Sequence, residues 1–407
     1  MADGARGTAE AVARAAYGRL VAYLAARSRD VAAAEDALAE AFAAALRVWP
    51  ETGVPERPEA WLFTAARRQL IQDGRRQAVR RAAEPSLALL AEERQDSAPD
   101  TLPDKRLELL FVCAHPAINA AARAPLMLQT VLGLDAARIA SAFLVAPAAM
   151  GQRLVRAKVR IREAGIAFAV PEPEELPERL AAVLDAIYAA YGSGWEDAAG
   201  TDARRKGLTA EAIWLARLVT ALLPAEPEAR GLLALMLYCE ARAPARRDAA
   251  GRFVPLSEQD ASLWSRDMIV VAERELAAAA SLLRPGRFQL EAAIQSVHIQ
   301  RPITGRTNWE AIAFLYAGLV ALSPTIGALV GRAAAIGEVH GPAAGLAALA
   351  ELPPATARAY QPWWAVRAHL LAAQGDPEAA TAYRTAAGMA EDEAVKAFLL
   401  ARAQTTR

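Results

Sequence analysis

Residues 134–164 read LDAARIASAFLVAPAAMGQRLVRAKVRIREA, and the spacing of their apolar positions sets the frame for the whole chain. The run from Asp135 to Phe143 predicts a helix with Ile139 and Ala140 on its buried face. Leu144, Val145 and Ala146 then make a short apolar break, and Pro147 falls where the first residue of a helix favours proline. Met150, Leu154, Ala157 and Ile161 recur at helical spacing after it. The other sides of this second helix carry Gln152, Arg153, Arg156, Lys158, Arg160 and Arg162. Two helices joined by a tight turn, the second with an apolar spine and a basic flank, suit the DNA major groove. Guanidinium forks there reach both phosphates and guanine edges. The same pattern also describes an ordinary amphipathic helix with a solvated charged face, so the rest of the chain must decide.

Working outward, 407 residues suffice for two to four domains with cores of their own. A hydrophobic content of 54% with 23% charged residues is globular, and abundant alanine favours helix over sheet. The expected class is all-α. No basic-then-apolar leader opens the chain and no apolar run is long enough to span a bilayer, so a soluble cytoplasmic protein with no membrane contact is expected. Two cysteines, Cys113 and Cys239, cannot build a disulfide framework. Formal net charge is zero, yet residues 1–168 hold 23 basic and 19 acidic residues against 23 and 27 in the remainder. A basic front and an acidic back fit nucleic-acid contact at one end.

The front half predicts helices over Ala11–Ala26 and Asp30–Trp49, the second with Asp30 as N-cap and Glu35, Asp36 and Glu40 on its polar side. A proline-marked loop is expected from Pro50 to Pro58. From Pro58 the chain reads PEAWLFTAARRQLIQDGRRQAVRR, a helix with Trp61 and Phe63 followed by a series of arginines. Rings beside arginines can stack unpaired bases and hold phosphates; they can equally be core residues of a small helical unit. Residues 84–103 are polar, acidic and bounded by prolines, which predicts a linker. Cys113 and His115 lie two apart in FVCAHPAI, too few ligands for a metal, and no cofactor is expected.

Two helical units joined by an acidic linker, the first ending WLFTAARR and the second ending MGQRLVRAKVRIREAGI, resemble the extracytoplasmic-function (ECF) sigma factors of bacterial RNA polymerase. The resemblance covers roughly residues 10–168. It implies a sigma domain 2 over residues 9–83, a linker over 84–103, and a helix-turn-helix sigma domain 4 over 104–168. AAAEDALAEAF is similar to the family's core-binding helix, which implies that Glu35, Asp36, Glu40 and Phe42 meet the β′ subunit of core polymerase. The stretch Trp49–Pro58 is similar to the loop that captures a flipped −10 promoter base. Trp49, Trp61, Arg67, Arg68, Arg75 and Arg76 are the implied −10 contacts, and Gln152, Arg153, Arg156 and Lys158 the implied −35 contacts. The chain departs from common family residues at Gln72, Gly74, Ala149 and Gly151.

Beyond Phe168, PEPEELPE reads as a second linker over 169–178. Helices are expected over Arg179–Tyr191, Thr209–Leu223 and Glu226–Arg242, within an extension domain at 179–290. The less regular stretch that follows gathers Asp248, Gly251, Gln259, Asp260 and Trp264, which suit either capping and packing or a ligand pocket. RFVPLSEQDASLW and GRFQLEAAIQSVH are similar to the long C-terminal extension of one sigma-factor subgroup. Residues 291–407 fall into three helix–turn–helix units, and Gln374–Tyr383, QGDPEAATAY, resembles a tetratricopeptide (TPR) turn. Stacked helix pairs leave a concave surface suited to a protein partner. The expected function is promoter recognition by an RNA polymerase sigma factor under control of its extension. The alternative is a helix-turn-helix regulator with a TPR-like sensing domain. No nucleophile–base pattern or glycine-rich phosphate loop accompanies the four histidines, so no catalytic chemistry is expected.

Overall fold

A computed structural model describes residues 2–80, 103–143, 145–195, 206–390 and 392–405. Among them the fold is all-α, with a lone antiparallel bridge between Arg247 and Phe253 and no strand. Most of the expected linker at 84–103, together with Leu144, lies outside the described residues. None of the described helices is long and apolar enough to cross a membrane. The chain divides into two compact units, Met1–Ala190 and Tyr191–Arg407.

In the first unit, α1 (Ala2–Ser28), α2 (Val31–Thr52) and α3 (Pro58–Arg80) pack together. Helices α4 (Arg106–Cys113), α5 (Ala120–Leu132), α6 (Ala136–Ala142) and α7 (Pro147–Glu163) follow. The segments expected to form separate domains on either side of residues 84–103 share one wall, because α1 packs on α4 and α5 as well as on α2 and α3. Where α1 crosses α5 the backbones touch: a Cβ on Gly18 would collide with the Val131 carbonyl. At the end of α5, Gly133 adopts φ +69°, a left-handed conformation that costs glycine little, and the Tyr17 ring closes over it.

Helix α2 begins as read: Asp30 caps it, its side chain accepting from the Ala33 N–H at 3.1 Å. Its end is different. The helix runs through Pro50 to Thr52, so the connecting loop is confined to residues 53–57. A proline inside a helix removes the hydrogen bond to the carbonyl four residues back. Here that residue is the exposed Leu46, where water can serve the carbonyl. Gly53, at φ +85°, ends the helix and donates its N–H to the Trp49 carbonyl.

The apolar spine of α7 is buried as its spacing demands: Met150, Leu154, Ala157 and Ile161 face inward, with Ile139 and Ala140 of α6 beneath them. Pro147 is the first residue of the helix. Helix α8 (Leu176–Trp195) begins on the first unit, where Arg179 donates to the Phe111 carbonyl at 3.0 Å.

The second unit opens with α9 (Lys206–Leu222) and α10 (Pro227–Ala241). The almost wholly buried α10 packs against α11 (Arg266–Ser281) and α12 (Arg287–Ile299). Glu228 of α10 accepts from the Phe288 and Gln289 backbone N–H groups, satisfying two orphan donors at the start of α12. The short α13 (Arg301–Thr304) leads into α14 (Trp309–Leu322), α15 (Ile326–His340) and α16 (Pro342–Ala350). After α17 (Pro354–Arg358), the helices α18 (Gln361–Ala373), α19 (Glu378–Met389) and α20 (Glu393–Thr405) each pack on their sequence neighbour. Gly375 at φ +72° and Asp376, which accepts from the Glu378 N–H at 2.8 Å, form the turn between α18 and α19.

Candidate nucleic-acid interface

Two helix faces and one aromatic pair carry the residues singled out from the sequence. On α2, Asp36 and Glu40 are exposed on one open face and Phe42 is half-buried beside the core, while Leu46 and Val48 are exposed further along the helix. Glu35 is turned inward. It forms an ion pair with Lys158 of α7, the two side chains being 11% and 13% exposed. Burial pushes the Glu35 carboxyl pKa upward, against the downward pull of Lys158. The Tyr17 hydroxyl lies beside the same carboxylate, and burial first, then Glu35, drives its pKa upward too. One helical turn further along α7, Arg162 reaches the Asp30 carboxylate at 3.3 Å. The sequence assigned Glu35 to a protein partner and Lys158 to DNA; in this structure each side chain is occupied by the other. A charge sitting beside an apolar spine position is well placed for burial, but its partner lies far off in sequence.

Trp49 is turned inward as well. Expected at the start of a loop and free to meet a base, it sits inside α2, 2% exposed, edge-on to Trp61 with ring centroids 5.5 Å apart. Its indole N–H finds no hydrogen-bond partner. Trp61 keeps part of its surface open, whereas Phe63 is buried edge-on to Tyr23 at 5.2 Å, as a core residue would be. Arg68 is exposed and Arg67 half-buried on α3. Arg75 and Arg76 continue the same helix, and their side chains lie outside the described residues. An ion pair between Arg19 and Glu59, which no local pattern announced, ties the start of α3 to α1.

Of the expected groove-facing set on α7, Gln152 and Arg156 are exposed. Arg153 folds back, its guanidinium donating to the Ala121 carbonyl at 3.4 Å. Val155 lies open to solvent between Gln152 and Arg156, a residue the charge pattern passed over.

Cys113 and His115 pack rather than ligate. Burial pushes the Cys113 thiol pKa up to about 12, and its sulfur lies 3.4 Å from the Thr130 hydroxyl. His115 Nδ1 accepts from the Ala117 N–H at 3.1 Å. Among the described residues no group of three or more acidic, histidine or cysteine side chains could hold a metal.

In the second unit the Asp248–Trp264 group divides into caps and core. Asp248 accepts from the Ala250 and Arg252 backbone N–H groups around Gly251, whose φ of +78° makes the turn. Asp260 caps the next short turn through the Ser262 N–H at 2.8 Å. Gln259 and Trp264 are buried, and Arg301 donates to the Gln259 carbonyl at 2.9 Å while its guanidinium lies 5.9 Å from the Trp264 ring centre. Phe253 packs edge-on against Phe398 at 5.4 Å, and Arg247 pairs with Asp392 at 3.0 Å. The segment thus reaches from α10 to α20, and beneath it lies a cavity of about 610 Å3 lined in part by Leu256, His298, Trp309, Glu338 and Phe398.

An acidic helix with an open face, a following helix rich in arginine and a helix pair with a basic flank make up the candidate interface. Residues 13–80, which span most of α1 and all of α2 and α3, match the family model for sigma-70 region 2. That domain supports a sigma factor of the sigma-70 family, a family of RNA polymerase subunits rather than of enzymes. Residues 179–280 match a family of unknown function, DUF6596. Over 392 residues the chain is 39% identical to an uncharacterised protein of Rhizobium meliloti (strain 1021), covering 94% of this chain and 91% of that one. The chain belongs to the same family as that protein. No solved structure matches.

Proposed function

We propose that the chain is an ECF-type sigma factor that directs core RNA polymerase to its promoters and has no catalytic chemistry of its own. The observation that carries this reading is the sigma-70 region 2 match at residues 13–80, coincident with the α1–α3 bundle whose second helix presents Asp36, Glu40 and Phe42. In this reading α2 docks on the β′ subunit. Trp61 and the arginines of α3 engage the −10 element, and the α6–α7 pair acts as domain 4 on the −35 element. Work of this kind is done in the cytoplasm. The test is in-vitro transcription from chromosomal fragments by core polymerase with and without the chain; no specific transcript in its presence would sink the proposal. Asp36→Arg provides the local check. The residue is exposed, so the fold should survive while recovery of polymerase with the chain falls.

The extension controls that activity through TPR-like helix pairs that present a surface to a protein partner. The turn at Gly375–Glu378 and the neighbour-on-neighbour packing of α18, α19 and α20 support this. A second reading, a helix-turn-helix regulator with a sensing domain, is favoured by the cavity beneath the Arg247–Trp264 segment. Its volume is that of a small-molecule site. Core polymerase separates the two readings, because a regulator of that kind binds its operator without it.

A further inference from the structure

Of the basic residues that the charge pattern nominates for the groove at Arg153, Arg156 and Lys158, α7 leaves Arg156 exposed. Lys158 is paired with Glu35, Arg153 donates to the Ala121 carbonyl of α5, and the exposed Arg156 donates to the Gln152 carbonyl of its own helix at 3.3 Å. At 100° per residue, Ala148, Ala149, Gln152, Val155 and Arg156 share an arc of about 120°, and all five are exposed. This strip runs from the second to the tenth of the helix's 17 residues, ahead of Lys158 and Arg162, which make the contacts to α2. The N-terminal half of the second helix is the part of a helix-turn-helix that reaches base edges. Val155, 60% exposed, is its largest apolar side chain. A β-branched residue there gives up helix propensity while leaving most of its surface in solvent.

We propose that this strip reads thymine methyl groups, with Val155 as the specificity-determining residue. The inference rests on the reading of α7 as a DNA-contacting helix and names what that helix recognises. The C5-methyl of thymine is the one apolar feature of the major groove, and alanine and valine methyls complement it. Gln152, one turn before Arg156 on the same face, can pair with the N6 and N7 of an adenine, and Arg156 with the O6 and N7 of a guanine. Ala148 and Ala149 present methyls where a longer side chain would hold the backbone away from the bases. The upstream element is therefore A·T-bearing opposite Val155, with a single guanine, in place of the guanine-rich element that three arginine and lysine side chains would select.

The experiment uses the full chain with core polymerase and a duplex library randomised upstream of the transcription start. Enriched sequences are remade with each thymine replaced in turn by deoxyuridine, which removes only the methyl. One or two replacements should weaken binding roughly three- to five-fold, the worth of one buried methyl. Val155→Ser, which puts a hydroxyl where the methyls stood and is checked by circular dichroism, should bind thymine and deoxyuridine duplexes equally, and Gln152→Ala should lose the preference for adenine. Equal binding of both duplexes by the parent, or an enriched element without thymine, overturns the inference. If Arg156→Ala then still weakens binding, the DNA-contacting role of α7 survives that failure. Absence of any enriched upstream element removes both.

Discussion

Lys158 and Glu35 are each other's ion-pair partner, although one lies on the helix read as DNA-facing and the other on the helix read as polymerase-facing. Their pairing is a buried one, and a buried pair is costly to break from one side only. Lys158→Ala strands a carboxylate whose pKa burial already pushes upward. Unfolding of the first unit in urea should show a loss of up to about 3–5 kcal/mol. Replacing both partners with apolar residues, Glu35→Leu with Lys158→Met, should restore most of it. A Lys158→Ala chain as stable as the parent would show that the pair does not hold α7 to α2.

Gly151 lies within α7, and a Cβ there would meet no atom within 4 Å. Glycine costs a helix interior roughly 1 kcal/mol relative to alanine. Gly151→Ala should therefore stabilise the first unit by about that amount, read as a rise in its thermal midpoint. No change, or a fall, would mean that the helix end is mobile enough for propensity not to count.

Trp49 separates a structural ring from a base-capturing one. Buried against Trp61, it should cost about 3–5 kcal/mol of stability when cut to alanine. A residue used only to hold an unpaired base would leave the melting curve unchanged and lower open-complex formation alone. Measuring both quantities on Trp49→Ala decides which role the ring has.

His298 is neutral in the fold, its pKa pushed down to about 4 by burial first and then by Arg242 and Arg301. The unfolded chain takes up that proton near pH 6.5. Between those values the unfolded state binds more protons, so stability is full above pH 6.5 and is lost as pH falls towards 4. The loss amounts to at most roughly 3 kcal/mol. Thermal unfolding followed over that range should show the second unit weakening with acid. His298→Phe, which keeps a ring edge-on to Trp309, should flatten the dependence. An unaltered slope in the variant would move the effect to other groups.

The spine of α7 was legible because Met150, Leu154, Ala157 and Ile161 obey the helical period, and period is a local property. Asp30 was legible as a cap for the same reason. The end of α2 was not, because Pro50 and Gly53 carry the signals of a loop, whereas the helix runs on to Thr52 with Trp49 packed on Trp61, a contact that lies outside the local pattern. The direction of charged side chains was the least legible feature. Arg153, Arg156 and Lys158 look alike in the sequence, yet one meets a carbonyl of α5, one a carbonyl of its own helix and one Glu35. Those partners lie on helices distant in the chain, and no pattern within α7 encodes them.

The touch of Gly18 against the Val131 carbonyl also limits how this molecule can be rebuilt. Exchanging the front bundle for that of a relative leaves α5 facing a foreign helix, and any side chain at the position of Gly18 would wedge the two apart. Hybrids of this chain with a relative will thus need their junction outside the α1–α5 pair, with both helices taken from a single parent.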